Sequence, residues 1–294
     1  MSAGLVEVLS SVTHMWPGSI ALPVPGAAFL VTCVAFGLLW LMSLLKRDCG
    51  VVDLYWAFGF SVIAWIEHAS SASPGWAGNL LLCLVSIWSL RLGLHLVRRH
   101  LRASEEDPRY RRMRERGGPH WPLASFLWIF MLQAVVMWLV ASPLHVSFGA
   151  DEEPWSAGLV LLGAGIFAVG FIIESLADSA IARFRDDPAN AGRLLTTGLF
   201  AWSRHPNYFG ETVLWWGFGL MGLGISGSAL ALAGPLLLTL LLLKVSGIPP
   251  LEEHLAGRPG FAEYAARTSA FIPLPPRSAG DGDRLGSTSV AGQG

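Results

Sequence analysis

Two pairs of polar side chains in apolar surroundings are the strongest candidates for chemistry in this sequence. Asn207 and Glu211 are four residues apart, directly after Pro206 and just before an apolar segment. Proline is favoured in the first turn of a helix and residues four apart share a helix face, so this amide and carboxylate should point the same way. Glu174 and Asp178 repeat the spacing inside another apolar segment. Burying such groups in a membrane is costly, which makes both pairs candidate functional residues.

The composition predicts an all-α protein that crosses a membrane several times. Hydrophobic residues make up 53% of the 294 residues and charged residues only 14%, whereas soluble domains average about 25% charged residues. Cys33, Cys49 and Cys83 are expected to be packing residues, and no metal site is expected. Residues 1–17 lack the basic stretch and the cleavage site of a signal peptide, so the first membrane helix should direct insertion.

Seven apolar segments predict membrane helices, which typically need about 20 residues. These segments cover residues 27–45, 51–68, 76–97, 121–140, 155–181, 208–223 and 229–243. Of the 20 Lys and Arg residues, all except Arg91 fall on one side of such a bundle, and the positive-inside rule makes that side cytoplasmic. We therefore predict one seven-helix domain over residues 1–276, with the N-terminus outside and the C-terminus cytoplasmic. A disordered Gly/Ser-rich tail should follow at residues 277–294.

This topology places most charged residues near the cytoplasmic face, where a single polar cavity could hold them. Arginines bind phosphates, while carboxylates and amides bind sugar hydroxyls, so such a cavity suits a phosphate-bearing cofactor. The chain has neither the GxGxxG nor the GxxxxGK[ST] motif of soluble nucleotide-binding folds. Simpler roles remain open for two features. The Arg-rich segment 98–116 could be a topology determinant at anionic headgroups, and Asp53 could be the N-cap of the second helix.

The chain resembles the steroid 5α-reductase family most clearly over residues 174–273. The resemblance is carried by the motif Arg204-His205-Pro206-Asn207-Tyr208-Phe209-Gly210-Glu211, by Thr197-Gly198-Leu199-Phe200 before it, and by Glu252-Glu253, Tyr264 and Ile272-Pro273 after it. Shorter matches indicate a bacterial branch of the family, namely Val52-Asp53-Leu54-Tyr55-Trp56 and Trp88-Ser89-Leu90-Arg91.

The resemblance implies a seven-helix membrane enzyme that binds NADPH in a cytosol-facing cavity and reduces the Δ4 double bond of 3-oxo steroids. Residues 174–273 would be the cofactor-binding part. The implied cofactor-binding residues are Glu174, Asp178, Arg183, Arg185, Arg193, Arg204, His205, Asn207, Tyr208, Glu211, Trp215, Lys244, Glu253 and Tyr264. The implied residues around the substrate carbonyl are Asp53, Tyr55 and Trp88, with Asp53 or Tyr55 donating a hydrogen bond to it.

The expected partners are a lipid-soluble enone and membrane lipids, and the expected location is a bacterial inner membrane. No nucleic-acid binding is expected, and the protein should be a monomer. Isoprenylcysteine carboxyl methyltransferases, which bind S-adenosylmethionine, show a similar His-Pro-x-Tyr-x-Gly motif and a similar tail. Asn207, Glu211 and the spacing of Asp178 and Arg185 favour the reductase. A channel or transporter is a third hypothesis, which the clustering of polar residues on one side disfavours.

Overall fold

The computed structural model describes residues 24–71, 74–102, 108–150 and 153–277. The predictions for residues 1–17 and, apart from Arg277, for a disordered tail at residues 277–294 lie outside these residues. The described chain is helical, with no strand and one isolated bridge between Ser203 and Ser269. The predicted all-α class is therefore confirmed.

The long α-helices follow the apolar segments of the sequence, and a short, Arg-rich helix lies at Pro108–Gly117. In chain order the α-helices are α1 (Val24–Lys46), α2 (Val52–Ser70), α3 (Trp76–Arg102), α4 (Pro108–Gly117), α5 (Trp121–Ser125), α6 (Leu132–Val140), α7 (Ser142–Phe148), α8 (Ala157–Asp186), α9 (Leu199–Trp202), α10 (Pro206–Ser226), α11 (Ala233–Lys244), α12 (Ile248–Leu255) and α13 (Phe261–Arg267). A π-helical stretch, Phe126–Met131, joins α5 to α6. Helix α1 ends where Arg47 takes a left-handed conformation with a φ of 54°.

Six helical stretches of the described chain are long and apolar enough to cross a membrane, as expected for a multi-pass membrane protein. They are Val24–Lys46, Cys49–Ser70, Trp76–Arg102, Tyr110–Val140, Ala157–Asp186 and Ala229–Leu255. The remaining predicted segment, 208–223, forms α10, which has 21 residues but does not belong to this set. The helix is long enough, but its mean hydropathy is too low, because Asn207, Glu211 and several glycines are not strongly apolar. Seven spanning helices and the orientation of the termini stay predictions.

The chain divides into two compact units. Unit 1 comprises Met1–Ala164 and Phe218–Gly234, and unit 2 comprises Gly165–Gly217 and Pro235–Gly294. The predicted single domain over residues 1–276 stays a prediction, and each unit is described by itself below.

The start of α2 in unit 1 is fixed by Asp48. The Asp48 carboxylate accepts a hydrogen bond from the Gly50 backbone N–H at 2.8 Å and caps the short 3-10 turn that leads into the helix. The N-cap residue of α2 is Val51, and Asp53 lies within the first turn. The alternative role of Asp53 as the N-cap is therefore wrong, because the turn before the helix moves the capping position to Asp48.

Helices α8 and α10 cross within unit 2 at a pair of glycines. A Cβ atom placed on Gly170 would lie 2.4 Å from the backbone nitrogen of Leu214, and one placed on Gly210 would lie 2.5 Å from the backbone nitrogen of Glu174. Such distances are well inside van der Waals contact, so only glycine fits at both positions. Small residues allow this close approach of helices in membranes. The crossing fixes which turns of the two helices face each other.

Replacing Gly210 by alanine should destabilise unit 2, because the added methyl group meets backbone atoms that cannot rotate away. We expect a loss of about 1–3 kcal/mol, the usual cost of overpacking. Gly165→Ala is the matched control on α8, since a Cβ atom there meets nothing within 4 Å, and alanine is the better helix former. Unfolding of the purified protein in SDS measures both. A Gly210→Ala protein as stable as Gly165→Ala would contradict the tight crossing.

Candidate functional site

The crossing of α8 and α10 brings together polar residues that the sequence analysis singled out. Glu174 and Asp178 follow Gly170 by one and two helical turns, and both are buried, with 2% and 5% exposure. The side-chain amide of Asn207 donates a hydrogen bond to Asp178 Oδ1 at 3.3 Å. Glu211 is next to Gly210 on α10, one turn after Asn207. Three carboxylates and an amide therefore lie around one helix crossing.

Two buried hydroxyl groups on the same helices have no hydrogen-bond partner among the described residues. They are the hydroxyls of Ser175, which follows Glu174 on α8, and Thr212, which follows Glu211 on α10. Buried polar groups are nearly always hydrogen-bonded in folded proteins. The polar capacity of these helices thus exceeds what the described chain satisfies.

Four exposed cations lie at or after the ends of α8 and α11. Arg183 and Arg185 lie in its last turn, Arg193 lies in the loop that follows, and Lys244 ends α11. Exposed guanidinium and ammonium groups can bind phosphate oxygens. All four belong to unit 2, as do Asp178, Asn207 and Glu211.

The first residues of the 204–211 motif face the C-terminal segment of the protein. We call residues 248–277 the C-terminal strap. Arg204 Nε donates to Glu252 Oε1 at 2.7 Å, and His205 Nε2 lies 3.1 Å from the same oxygen. The His205 ring stacks on Tyr208 with centroids 5.7 Å apart. Burial lowers the pKa of His205, and the contact with Glu252 opposes this shift.

The strap also contains Tyr264, Glu252 and Glu253, and these three side chains differ in their contacts. The Tyr264 hydroxyl is buried and donates to the Phe200 carbonyl at 2.6 Å. Of the two adjacent acids, Glu252 contacts the motif whereas Glu253 is exposed. Glu253 is the acid that was predicted to bind the cofactor, because two neighbouring glutamates in a sequence do not show which of them faces the motif.

The residues predicted to surround the substrate carbonyl belong to unit 1. Asp53 pairs with Arg99, with 3.2 Å between Oδ2 and Nη2. Tyr55 packs edge-on against Phe36, with ring centroids 5.5 Å apart. Trp88 is fully buried, and its ring contacts those of Phe60 and Phe218. Trp215, predicted to contact the cofactor, is buried in unit 2 with 2% exposure. A single cavity that holds all predicted residues stays a prediction.

Unit 1 also contains a buried acid–imidazole pair that the sequence patterns do not predict. Glu67 Oε1 lies 2.6 Å from His145 Nδ1, and His145 Nε2 lies 2.8 Å from the Trp138 carbonyl oxygen. A carbonyl can only accept, so His145 Nε2 carries a proton and donates it. The other carboxyl oxygen of Glu67 has no partner among the described residues. A signal was available, because an acid near the end of an apolar segment is costly.

A family model described as a protein of unknown function, DUF1295, matches residues 39–268. The chain belongs to the DUF1295 family. The predicted link to steroid 5α-reductases is confirmed at the level of this steroid 5α-reductase-like family, whereas the bacterial origin stays a prediction. No solved structure matches this DUF1295 protein.

The similar proteins have diverse names. An uncharacterised protein of Schizosaccharomyces pombe is 28% identical over 227 residues, which are 68% of this chain and 65% of that protein. Bovine 3-oxo-5-alpha-steroid 4-dehydrogenase 1 is 29% identical over 117 residues, 40% of this chain and 45% of the relative. The nickel-cobalt-cadmium resistance protein NccN of Alcaligenes xylosoxydans xylosoxydans is 39% identical over 159 residues, 52% of this chain and 68% of that protein.

A relative named as a methyltransferase is also similar to this DUF1295 protein. The probable O-methyltransferase ustE of Ustilaginoidea virens is 34% identical over 85 residues, 29% of each chain. The chain spans less than two thirds of the length of the fission yeast, bovine and Ustilaginoidea relatives. Family membership therefore leaves two enzyme classes to be compared on the site itself.

Tyr264 should make unit 2 sensitive to alkali. Burial raises its pKa to about 12, with Glu252 acting in the same direction and Arg204 against it, whereas an exposed tyrosine has a pKa of about 10. The folded state thus favours the neutral phenol. This stabilisation is complete below about pH 10 and is lost as the pH rises from about 10 through about 12.

The measurement is the thermal unfolding midpoint at pH 9 and pH 11. Tyr264→Phe should unfold at a lower temperature than the wild type at pH 9, because the hydrogen bond to Phe200 is lost. Its unfolding midpoint should nevertheless fall less than that of the wild type between pH 9 and pH 11. Equal losses in the two proteins would contradict the assignment.

Proposed function

We propose that this chain is a membrane-embedded reductase that uses NADPH to reduce the carbon–carbon double bond conjugated to the ketone of a 3-oxo-Δ4 steroid or a similar lipid enone. Family membership and the similarity to bovine 3-oxo-5-alpha-steroid 4-dehydrogenase 1 support the reductase class. The observation that carries the proposal is the hydrogen bond between Asn207 and Asp178 at the glycine crossing, beside the buried Glu174.

The donors and acceptors of unit 2 fit a dinucleotide. Carboxylates and an amide around the crossing can bind ribose hydroxyls and the nicotinamide amide, and the unpartnered hydroxyls of Ser175 and Thr212 add two more polar groups. The residues that would hold the phosphates are the exposed Arg183, Arg185, Arg193 and Lys244. Bound NADPH would supply the hydride for the β-carbon of the enone.

A hydrogen-bond donor at Asp53 or Tyr55 would polarise the substrate carbonyl. A hydrogen bond to that oxygen draws electron density from the β-carbon, and a proton from solvent or from a neighbouring group then adds at the α-carbon. Asp53 pairs with Arg99, and an ion-paired carboxylate has no proton to donate. Tyr55 always carries a hydroxyl proton at neutral pH. Tyr55 is therefore the donor that we propose, and Trp88 would be a wall of the substrate site.

The apolar surface of the membrane helices suits a substrate that dissolves in the bilayer. Many large apolar side chains on the membrane helices are exposed, including Leu38, Leu161 and Leu240. The enone would enter laterally from the membrane, and apolar walls would exclude water and strengthen the polarising hydrogen bond. We place the protein in a bacterial inner membrane as a monomer, with its cofactor site facing the cytosol.

The second candidate function is an S-adenosylmethionine-dependent methyltransferase of the isoprenylcysteine carboxyl methyltransferase type. The similarity to a probable O-methyltransferase favours it, as does the His-Pro-x-Tyr-x-Gly arrangement at residues 205–210. The cluster of Glu174, Asp178 and Asn207, with arginines nearby in the sequence, argues against this function. Such a cluster provides ligands for two sugars and for phosphates, whereas S-adenosylmethionine has one sugar and no phosphate.

Mass spectrometry of nucleotides that remain bound to the purified protein separates the two functions. We expect NADP(H) in the wild type. Asn207→Ala and Glu211→Gln should each lower NADPH affinity about ten- to a hundred-fold, the range for a lost charge-assisted hydrogen bond. Glu263→Gln, at an exposed carboxylate on α13, is the control and should bind normally. Recovery of S-adenosylmethionine without NADP(H) would refute the reductase.

Tyr55→Phe should slow turnover about a hundred- to a thousand-fold, the usual cost of removing one donor to a developing oxyanion. NADPH affinity should be unchanged, because the phenylalanine keeps the ring packed on Phe36. Asp53→Asn, which loses the charge pair with Arg99, should have the smaller effect on kcat. Reduction of a 3-oxo-Δ4 steroid by NADPH measures both variants. A larger loss in Asp53→Asn than in Tyr55→Phe would return the donor role to Asp53.

A further inference from the structure

Most of the residues just before α10 are hydrogen-bonded to the C-terminal strap. The carbonyl of Trp202 accepts from the Leu274 backbone N–H at 3.0 Å, and the backbone N–H of Arg204 donates to the Ser269 carbonyl at 2.8 Å. The Ser203 hydroxyl donates to the Phe271 carbonyl at 2.7 Å. Together with the bond from Tyr264 to Phe200, these contacts fix the chain up to the residue that begins α10.

The Arg204 guanidinium is enclosed by acceptors of the strap. Its Nε donates to Glu252, and its Nη1 donates to the carbonyls of Ala265 at 3.0 Å and Thr268 at 2.6 Å. Its side chain is only 11% exposed. An arginine that binds phosphate needs a fork of N–H groups directed at the ligand. Here the fork is directed at helix α13 and the chain after it.

We propose that Arg204 and Glu252 are positioning residues, which hold the strap against residues 200–205 and thereby set the start of α10, with Asn207 in its first turn and Glu211 one turn later. Arg204 then contributes no phosphate contact. The proposed link to catalysis rests on the proposed function, whereas the link between the strap and α10 does not.

Removing the charge of Glu252 distinguishes positioning from phosphate binding, because the two roles predict opposite changes in NADPH affinity. Glu252→Gln removes the negative charge of a partly buried ion pair and leaves Arg204 with a weaker, neutral acceptor, so it should loosen the strap as Arg204→Gln does. If Arg204 instead bound phosphate, Glu252 would compete with the phosphate for the same guanidinium. Glu252→Gln would then strengthen NADPH binding while Arg204→Gln weakened it.

The first measurement is amide hydrogen exchange of the purified protein in detergent, without cofactor or substrate. Arg204→Gln and Glu252→Gln should each speed exchange in residues 200–205 and 269–274 about ten-fold or more. Arg204→Lys, which keeps the charge but loses the fork, should fall between these variants and the wild type. The matched controls on the same strap are Arg267→Gln and Glu263→Gln, both at exposed side chains, and both should exchange like the wild type.

The second measurement is NADPH affinity in the same proteins. Positioning predicts that Arg204→Gln and Glu252→Gln weaken binding by similar factors. Unchanged exchange in both variants, or tighter NADPH binding in Glu252→Gln, would overturn the proposal. A wild type that binds no NADPH would refute the proposed function alone, because the exchange measurement still decides the role of the strap.

Discussion

The approach of two backbones at Gly170 and Gly210 is the constraint on which the candidate site depends. Apolar helices in a bilayer have no hydrophobic drive to associate, since lipid and side chains are equally apolar. Close contact between backbones replaces that drive, and it requires positions without a side chain. Because Glu174 and Asp178 follow Gly170 at helical spacing, and Asn207 and Glu211 flank Gly210, the same contact that joins the helices also gathers their polar groups.

Buried polar groups in this protein are stabilised by specific partners. Asp178 is bonded to Asn207, Arg204 to Glu252 and two carbonyls, and Glu67 to His145. Breaking such a pair leaves an unsatisfied group in a medium that cannot solvate it, which costs much more than the pair contributes net. Arg183, Arg185 and Arg193, by contrast, are exposed. This difference separates residues that shape unit 2 from residues that remain accessible to a ligand.

The two ends of the 204–211 motif therefore have different surroundings. Asn207 faces Asp178 at the glycine crossing, whereas Arg204 faces the C-terminal strap. One motif can combine both kinds of residue, because polar groups on α10 can be positioned only if the start of that helix is fixed.

The sequence by itself determined the all-α membrane class, most helix positions and the pairing of polar residues along single helices. Each follows from composition or from the helical period, which are local properties of the chain. Tertiary structure alone decided that Asp48 rather than Asp53 caps the turn before α2, that Glu252 rather than Glu253 meets the motif, and that Glu67 meets His145. The first outcome depends on the short turn that precedes α2. The other two depend on which side chain faces a distant segment, because Arg204 and Glu252 are 48 positions apart in the chain and Glu67 and His145 are 78 positions apart. No local sequence pattern shows which distant residues come into contact, so the sequence could identify the polar residues of the site but not their partners.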